Sequence, residues 1–219
     1  MAINQNPSLE NRHTGYVACS GYGKSQALKQ NPDIPPMNKG ARVLLWDPDE
    51  DHKAAHYTSW RHFVQAVKAG MKSGGGFRLA WAGAVSEEQF ELFCKLCFVC
   101  LNGERALYII IEELADVQKS IGKASNWFGQ IMRKSRKYHG IVHWTSQRVE
   151  EIPKTAVSQS NNFYIGFPND TATKQQVEKL ARIGRAAGGA DALYALQPLQ
   201  FYRKIGRESS LITLKYKNI

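Results

Sequence analysis

The feature that most constrains this chain is the run Ala18-Cys19-Ser20-Gly21-Tyr22-Gly23-Lys24-Ser25, set between an apolar strand pattern over Tyr16 to Cys19 and a helical pattern over Lys24 to Lys29. It is a phosphate-binding (Walker A) loop in all but its first position, where Ala18 replaces the usual glycine. Gly21 and Gly23 let the chain wrap so that successive N–H groups point inwards, and the helix that starts at Lys24 adds its partial positive charge. Lys24 then reaches the β- and γ-phosphates and Ser25 ligates Mg²⁺. The loop implies ATP and Mg²⁺ as cofactors, with Ser20, Gly21, Tyr22, Gly23, Lys24, Ser25 and Gln26 as the nucleotide-binding residues.

A loop of this kind demands a strand before it and a helix after it, and the remaining chain continues the same rhythm. Strand patterns at 41–46, 77–82, 106–111, 140–145 and 162–167 alternate with helical patterns at 58–69, 86–102, 125–138 and 170–187. Alternation of this sort predicts an α/β fold, a mostly parallel sheet flanked by helices. Ser86 to Gln89 reads as a capping box and Asp170 as a cap. Residues 199–205 and 210–216 alternate about Gly206 to Glu208 and predict a C-terminal antiparallel hairpin. No internal repeat or linker interrupts the pattern, so residues 1–219 read as one domain.

A phosphate loop alone says only that a nucleotide binds, and a second acidic site must decide the chemistry. Ile109-Ile110-Ile111-Glu112-Glu113 sets two carboxylates at the C-terminal tip of a buried strand, the edge where ligands sit in an open parallel sheet. In that position Glu112 holds Mg²⁺ through water and Glu113 polarises the attacking water as general base. Gln147 follows the strand 140–145. If that strand lies between the loop strand and the acidic strand, its tip aims a neutral hydrogen-bonding group at the γ-phosphate.

Charge points to a polyanionic partner. The chain has 29 Lys and Arg against 19 Asp and Glu, a formal net charge of +10, and a pI near 9.5. Residues 119–148 carry no acidic side chain, and residues 174–217 are also strongly basic. Lys and Arg of this kind grip phosphate without reading sequence. Four cysteines are too few and too clustered for a secreted disulfide scaffold, and no apolar run reaches the roughly 18 residues of a membrane span. No signal-peptide pattern is visible, so a soluble protein of a reducing compartment is expected. Cys94-x₂-Cys97-x₂-Cys100 shares a helix face with Phe90 and Phe93 and reads as core packing. His52 and His56, near Asp47, Asp49 and Asp51, read as a solvated acidic loop.

Together these residues resemble the HerA/FtsK superfamily of P-loop DNA-pumping ATPases, and within it the small genome-packaging ATPases of tailless viruses with an internal membrane. The resemblance spans most of the chain: the ACSGYGKS loop, Val43 to Pro48, IIIEE, the helix Arg133 to Lys137, Thr145-Ser146-Gln147-Arg148, and Gln159 to Phe167. It departs at Ala18 for Gly and at Glu112, where Asp is usual, so either glutamate can serve the metal and the other the water.

The resemblance implies a RecA-like (ASCE) sheet with the Gln147 strand between the other two, and a homo-oligomeric ring, a hexamer, in which one subunit's arginine completes its neighbour's site. Arg133 and Arg136 are the first candidates and Arg148 the third. The expected activity is ATP-driven translocation of double-stranded DNA into a preformed capsid. The expected location is the host cytoplasm or the virion vertex, with capsid-vertex or viral membrane proteins as further partners. A cellular or conjugative DNA pump or a filamentous-phage assembly ATPase of the same superfamily, a small-molecule kinase and a non-catalytic nucleotide-binding assembly factor are the competing readings.

Overall fold

The computed structural model describes residues 2–36, 39–118, 124, 126–169 and 171–218. In chain order these form β1 (Thr14–Val17), α1 (Lys24–Lys29), β2 (Arg42–Trp46), β3 (Ala55–Tyr57), α2 (Trp60–Ser73), β4 (Phe77–Trp81) and α3 (Glu87–Val99). Then follow β5 (Leu107–Ile111), α4 (Leu114–Val117), α5 (Asn126–Lys134), β6 (Gly140–Ser146), α6 (Lys154–Gln159), β7 (Asn162–Ile165), α7 (Lys174–Gly184), α8 (Gly189–Tyr194), β8 (Gln200–Ile205) and β9 (Glu208–Thr213).

Among the described residues the strands form a nine-stranded sheet in the order β3-β4-β2-β5-β6-β1-β7-β8-β9. β3 through β7 in that order are parallel, and β8 and β9 add antiparallel strands at one edge. This is the expected α/β architecture, with the C-terminal hairpin in place.

Both faces are covered, which is why the inner strands read as continuous apolar runs. In β5 the period of two sends Leu107, Ile109 and Ile111 to the face packed by α2, α3 and α5. Tyr108 and Ile110 point the other way and cluster with Tyr16, Val43 and Leu45 and with Leu28 of α1. Cys94 and Cys97 are fully buried on the first face, and burial pushes both thiols well above their ordinary range. They belong to the core, as their spacing with Phe90 and Phe93 predicts, and no group of three or more His, Cys, Asp or Glu among the described residues is arranged to hold a metal. No described helix is long and apolar enough to cross a membrane.

Several boundaries differ from the sequence reading. β1 covers Thr14–Val17, earlier than expected, because its partners in β6 and β7 run out opposite Val17, at Ser146 and Ile165. The expected helix 125–138 is α5 followed by a tighter 3-10 turn over Ser135–Tyr138, closed by His139 at a φ of 62°. The N–H groups of Trp127 and Phe128 in the first turn of α5 are capped from outside, by the carboxylate of Glu91 in α3. Helix α7 starts at the Thr173 capping box; the expected Asp170 cap, like Lys119, Lys123 and Ser125 of the basic stretch, lies outside the described residues. The last expected strand, 210–216, pairs as Glu208–Thr213 instead. Residues 214–217 leave the sheet and run beside α1.

Candidate nucleotide site

β2, β5, β6 and β1 are consecutive neighbours in the sheet, so four chemically distinct segments meet at their C-terminal tips. Asp47 follows β2, Glu112 and Glu113 follow β5, Gln147 follows β6 and the glycine loop follows β1. Strand β6 lies between β1 and β5, as the resemblance implies.

The loop is shaped by its two glycines. Gly21 and Gly23 have φ of 79° and 93°, which side chains other than glycine rarely adopt, and Gly23 hands over directly to α1. The loop is also anchored from the far end of the chain. Cys19 N–H donates to Phe167 O (2.9 Å), Leu199 N–H donates to Tyr22 O (3.1 Å), and Tyr22 stacks on Phe167 with ring centroids 4.5 Å apart. Ala18, in the position usually held by glycine, is buried beside Gly166, whose own lack of a side chain leaves room for the Ala18 methyl.

The first N–H groups of α1, at Lys24, Ser25 and Gln26, have no helical carbonyl one turn behind them to bond, and these three residues line the cavity. Lys24, only 8% exposed, holds its ammonium 3.3 Å from Glu113 Oε1. Gln147 Nε2 donates to the same carboxylate oxygen at 3.0 Å. These three side chains and Ser25 line one cavity of about 350 Å³.

The two glutamates are held differently. Glu112 is buried, and burial alone would raise its pKa. His52, whose Nε2 is bonded to Glu112 Oε1 (2.5 Å), together with Thr145 and the charge of Lys24, more than offsets burial and holds the carboxyl below its ordinary value. Thr145 serves both neighbours: its hydroxyl donates to Glu112 Oε2 (2.6 Å) and accepts from Glu113 N–H (2.9 Å). Glu113 is in the left-handed region at φ 45° and ψ 64°, where a side chain with a Cβ is strained. Its carboxylate meets Lys24 and Gln147, whereas that of Glu112 meets His52 and Thr145.

The loop after β2 corrects the sequence reading. It is not a solvated acidic loop where it matters: Asp47 is fully buried and His52 is 3% exposed. Asp47 accepts from the N–H groups of Asp51 (3.0 Å) and His52 (3.1 Å), while its Oδ2 also bonds His56 Nε2 (3.0 Å). Asp47 thereby folds the loop so that His52 reaches Glu112. The signal was present in Asp47-Pro48 at a strand tip; what the sequence lacked was the knowledge that β2 borders β5.

Of the expected binding residues, Ser20, Gly21, Gly23, Lys24, Ser25 and Gln26 line the cavity. Tyr22 is occupied by Phe167, and the Gln26 amide is turned to the main chain of Lys217, donating to its carbonyl (2.9 Å) and accepting from its N–H (3.0 Å). The Gln26 amide is thus already bonded through both its nitrogen and its oxygen. The candidate arginines do not join the site of their own chain. Arg133 is exposed on α5, and Arg136 donates to the carbonyls of Pro7 (2.9 Å) and Leu9 at the opposite end of β6. Arg148 is exposed beside Gln147 and paired with Glu151 (2.9 Å).

No protein-family model matches the chain. Protein P9 of Pseudoalteromonas phage PM2 is 41% identical over 167 residues, which are 76% of this chain and 73% of that protein. Among solved structures, the genome packaging NTPase B204 of Sulfolobus turreted icosahedral virus 2, in complex with AMPPCP, superposes with a TM-score of 0.74 at 13% identity, over 94% of this chain and 99% of that one. The bacterial conjugative coupling protein TrwBdeltaN70 gives a TM-score of 0.67 at 12% identity, over 99% of this chain and 89% of that one. At such identities these structures speak for the fold alone.

Proposed function

The chain belongs to the family of protein P9 of Pseudoalteromonas phage PM2, and on that footing we propose that it is an ATP-hydrolysing motor that drives double-stranded DNA into a preformed viral capsid. The observation that carries this reading is the meeting of Lys24, Gln147 and Glu113 at one carboxylate oxygen. A cation for phosphate, a neutral donor for the γ-phosphate and a carboxylate for water are thus within one hydrogen bond of each other. The fold likeness to the viral genome packaging NTPase B204, solved with nucleotide analogues, supports the same reading.

The triphosphate lies on the N–H groups of the loop and the first turn of α1, and it draws Lys24 away from Glu113. Ser25 and Glu112 are the residues that would hold Mg²⁺, which supplies charge neutralisation between the phosphates. Glu112 fits that part. It is kept ionised, and each of its oxygens has one hydrogen bond, so it would keep lone pairs with which to help hold the cation. Glu113, released by Lys24, takes a proton from the attacking water, and Gln147 turns its amide to the γ-phosphate. Cations among the described lining residues are Lys24 and Lys29, with no arginine. An arginine from the next subunit of a ring, a hexamer, then meets the charge that develops in the transition state. Arg133 and Arg148 are exposed, although Arg148 would first have to leave Glu151, and Arg136 would have to leave two carbonyls.

Exposed Lys174, Arg182, Arg185, Arg207, Lys215 and Lys217 give the region from α7 onwards a basic surface suited to sequence-independent contact with DNA phosphates. In the virion the motor's further partners are capsid-vertex or viral membrane proteins, which sets its place between host cytoplasm and virion vertex. The likeness to a conjugative coupling protein keeps another kind of DNA pump as the second reading.

The test is ATPase activity with and without duplex DNA, on the wild type and on Lys24→Ala and Glu113→Gln. Lys24→Ala should lose ATP binding. Glu113→Gln should bind ATP and slow hydrolysis by roughly 10²- to 10⁴-fold. Unrelated duplexes should stimulate the wild type equally and lose affinity on one common slope with salt. Wild-type turnover by Glu113→Gln would move the base elsewhere, and stimulation restricted to one DNA sequence would reject backbone gripping.

A further inference from the structure

We infer that residues 214–217 form the wall on which the nucleotide base rests, and that Tyr216 stacks on its purine ring. The inference rests on the reading of the cavity as an ATP site and adds what recognises the base.

Five observations lead there. Tyr216 lines the same cavity as Lys24, Ser25 and Glu113, and it is the aromatic residue among the described lining residues. The other rings beside the loop are engaged with one another, Tyr22 on Phe167 and Phe167 edge-on to Tyr194. Tyr216 itself is 74% exposed.

The main chain on both sides of it is fastened to α1. Gln30 Nε2 donates to Lys215 O (2.9 Å) and to Gln26 Oε1 (2.8 Å), while the Gln26 amide bonds both main-chain groups of Lys217. Leu214 N–H donates to Leu199 O (2.9 Å), the residue whose own N–H holds the glycine loop. A ring mounted on a clamped backbone loses little freedom when it packs on a flat ligand.

The last observation is directional. Lys24 meets Glu113, and Gln26, two residues on and so about 200° round the helix, meets the 214–217 segment. Hydrolysis at Glu113 sets the γ-phosphate on the first flank. A nucleotide laid across the start of α1 then carries its base to the second flank, where Tyr216 stands. Stacking on an aromatic face is tolerant of which base is present, so the contact separates nucleotides from inorganic polyphosphate better than ATP from GTP.

Calorimetric titration of the full chain with Mg-ATP and with Mg-tripolyphosphate tests this. Tyr216→Ala should weaken ATP about tenfold or more and leave tripolyphosphate unchanged, and Tyr216→Phe should restore ATP binding. Equal weakening of both ligands, or no change in either, overturns the stacking role. So does a change in oligomeric state with the ATP to tripolyphosphate ratio preserved, which would make Tyr216 a contact between subunits. Lys24→Ala in the same titrations should weaken both ligands; if it weakens neither, the phosphate-loop reading itself fails, a result distinct from any outcome for Tyr216.

Discussion

Ala18 and Gly166 are fitted to each other: a Cβ built on Gly166 would lie 2.8 Å from the Ala18 Cβ, and 2.9 Å from the Phe201 ring. Gly166 N–H also donates to Val17 O (2.8 Å), so β1 and the segment after β7 are held at this separation just before the glycine loop begins. The methyl that distinguishes this loop from its usual form is accommodated across the sheet, by a residue about 150 positions away in the chain.

Gly166→Ala should therefore cost about 1–3 kcal/mol by overpacking. Adding Ala18→Gly should recover part of the loss, since the Phe201 contact persists. Chemical-denaturation midpoints of the two single variants and the double variant measure the coupling, and strictly additive effects would separate the two sites.

Thr145 joins the two glutamates through one hydroxyl. Thr145→Val keeps the shape and removes both bonds, leaving a Glu113 N–H and a Glu112 oxygen each short of a partner. A stability loss of about 1–3 kcal/mol and a clear fall in ATP turnover are expected, with Thr145→Ser close to wild type in both. Unchanged turnover in Thr145→Val would mean that Glu113 holds its left-handed backbone without this support.

Two histidines away from the cavity set the behaviour at low pH. Burial, and then the nearby charge of Arg136, lower His13 to about 4; burial, and then the charges of His13 and Arg12, lower His143 to about 3. Each is neutral in the fold and takes up a proton near 6.5 when unfolded, so the unfolded chain binds more protons between those values. The stabilisation is complete above about pH 6.5 and is lost as pH falls towards 4 and 3. Acidification from pH 7 to pH 5 should cost about 2 kcal/mol for each histidine. Urea midpoints at the two pH values test this, and His143→Gln should remove about half of the difference.

The proposed arginine in trans has a direct assay. Lys24→Ala and Arg133→Ala are each expected to be nearly inactive, the second because an arginine finger is worth roughly 10³ to 10⁵ in rate. Mixed in one ring they create some interfaces with a sound loop and a sound finger, and activity should peak at intermediate ratios. Arg148→Ala is run in parallel. If every mixture stays at the level of its parents while native mass spectrometry shows mixed rings, the finger lies in the same subunit or elsewhere.

Local chemistry made much of this site legible in the chain. Gly21, Gly23, Lys24 and Ser25 are consecutive or nearly so, and only a glycine-bearing turn from strand to helix explains them together. Glu112 and Glu113 end an apolar run whose length marks a buried strand, and their position at its tip follows from that alone. The insertion of β6 between β1 and β5 entered through resemblance and is seen in the pairing of Val17 with Ser146 and of Ile111 with Trp144.

Other contacts depend on which strands and segments become neighbours, and nothing local in the chain encodes them. His52 looks like part of a polar loop until β2 is set against β5, when Asp47 folds that loop and the imidazole is buried on Glu112, 60 residues away. Gln26 looks like a continuation of the nucleotide loop until residues 214–217 leave the hairpin and take its amide across 191 positions. The division follows from range. Residue types and spacings specify the strand, turn and helix that shape a phosphate loop, because those conformations are chosen over a few bonds. The partners of a buried carboxylate or amide are chosen by the whole sheet order, since such a group must bond whatever the fold brings within about 3 Å.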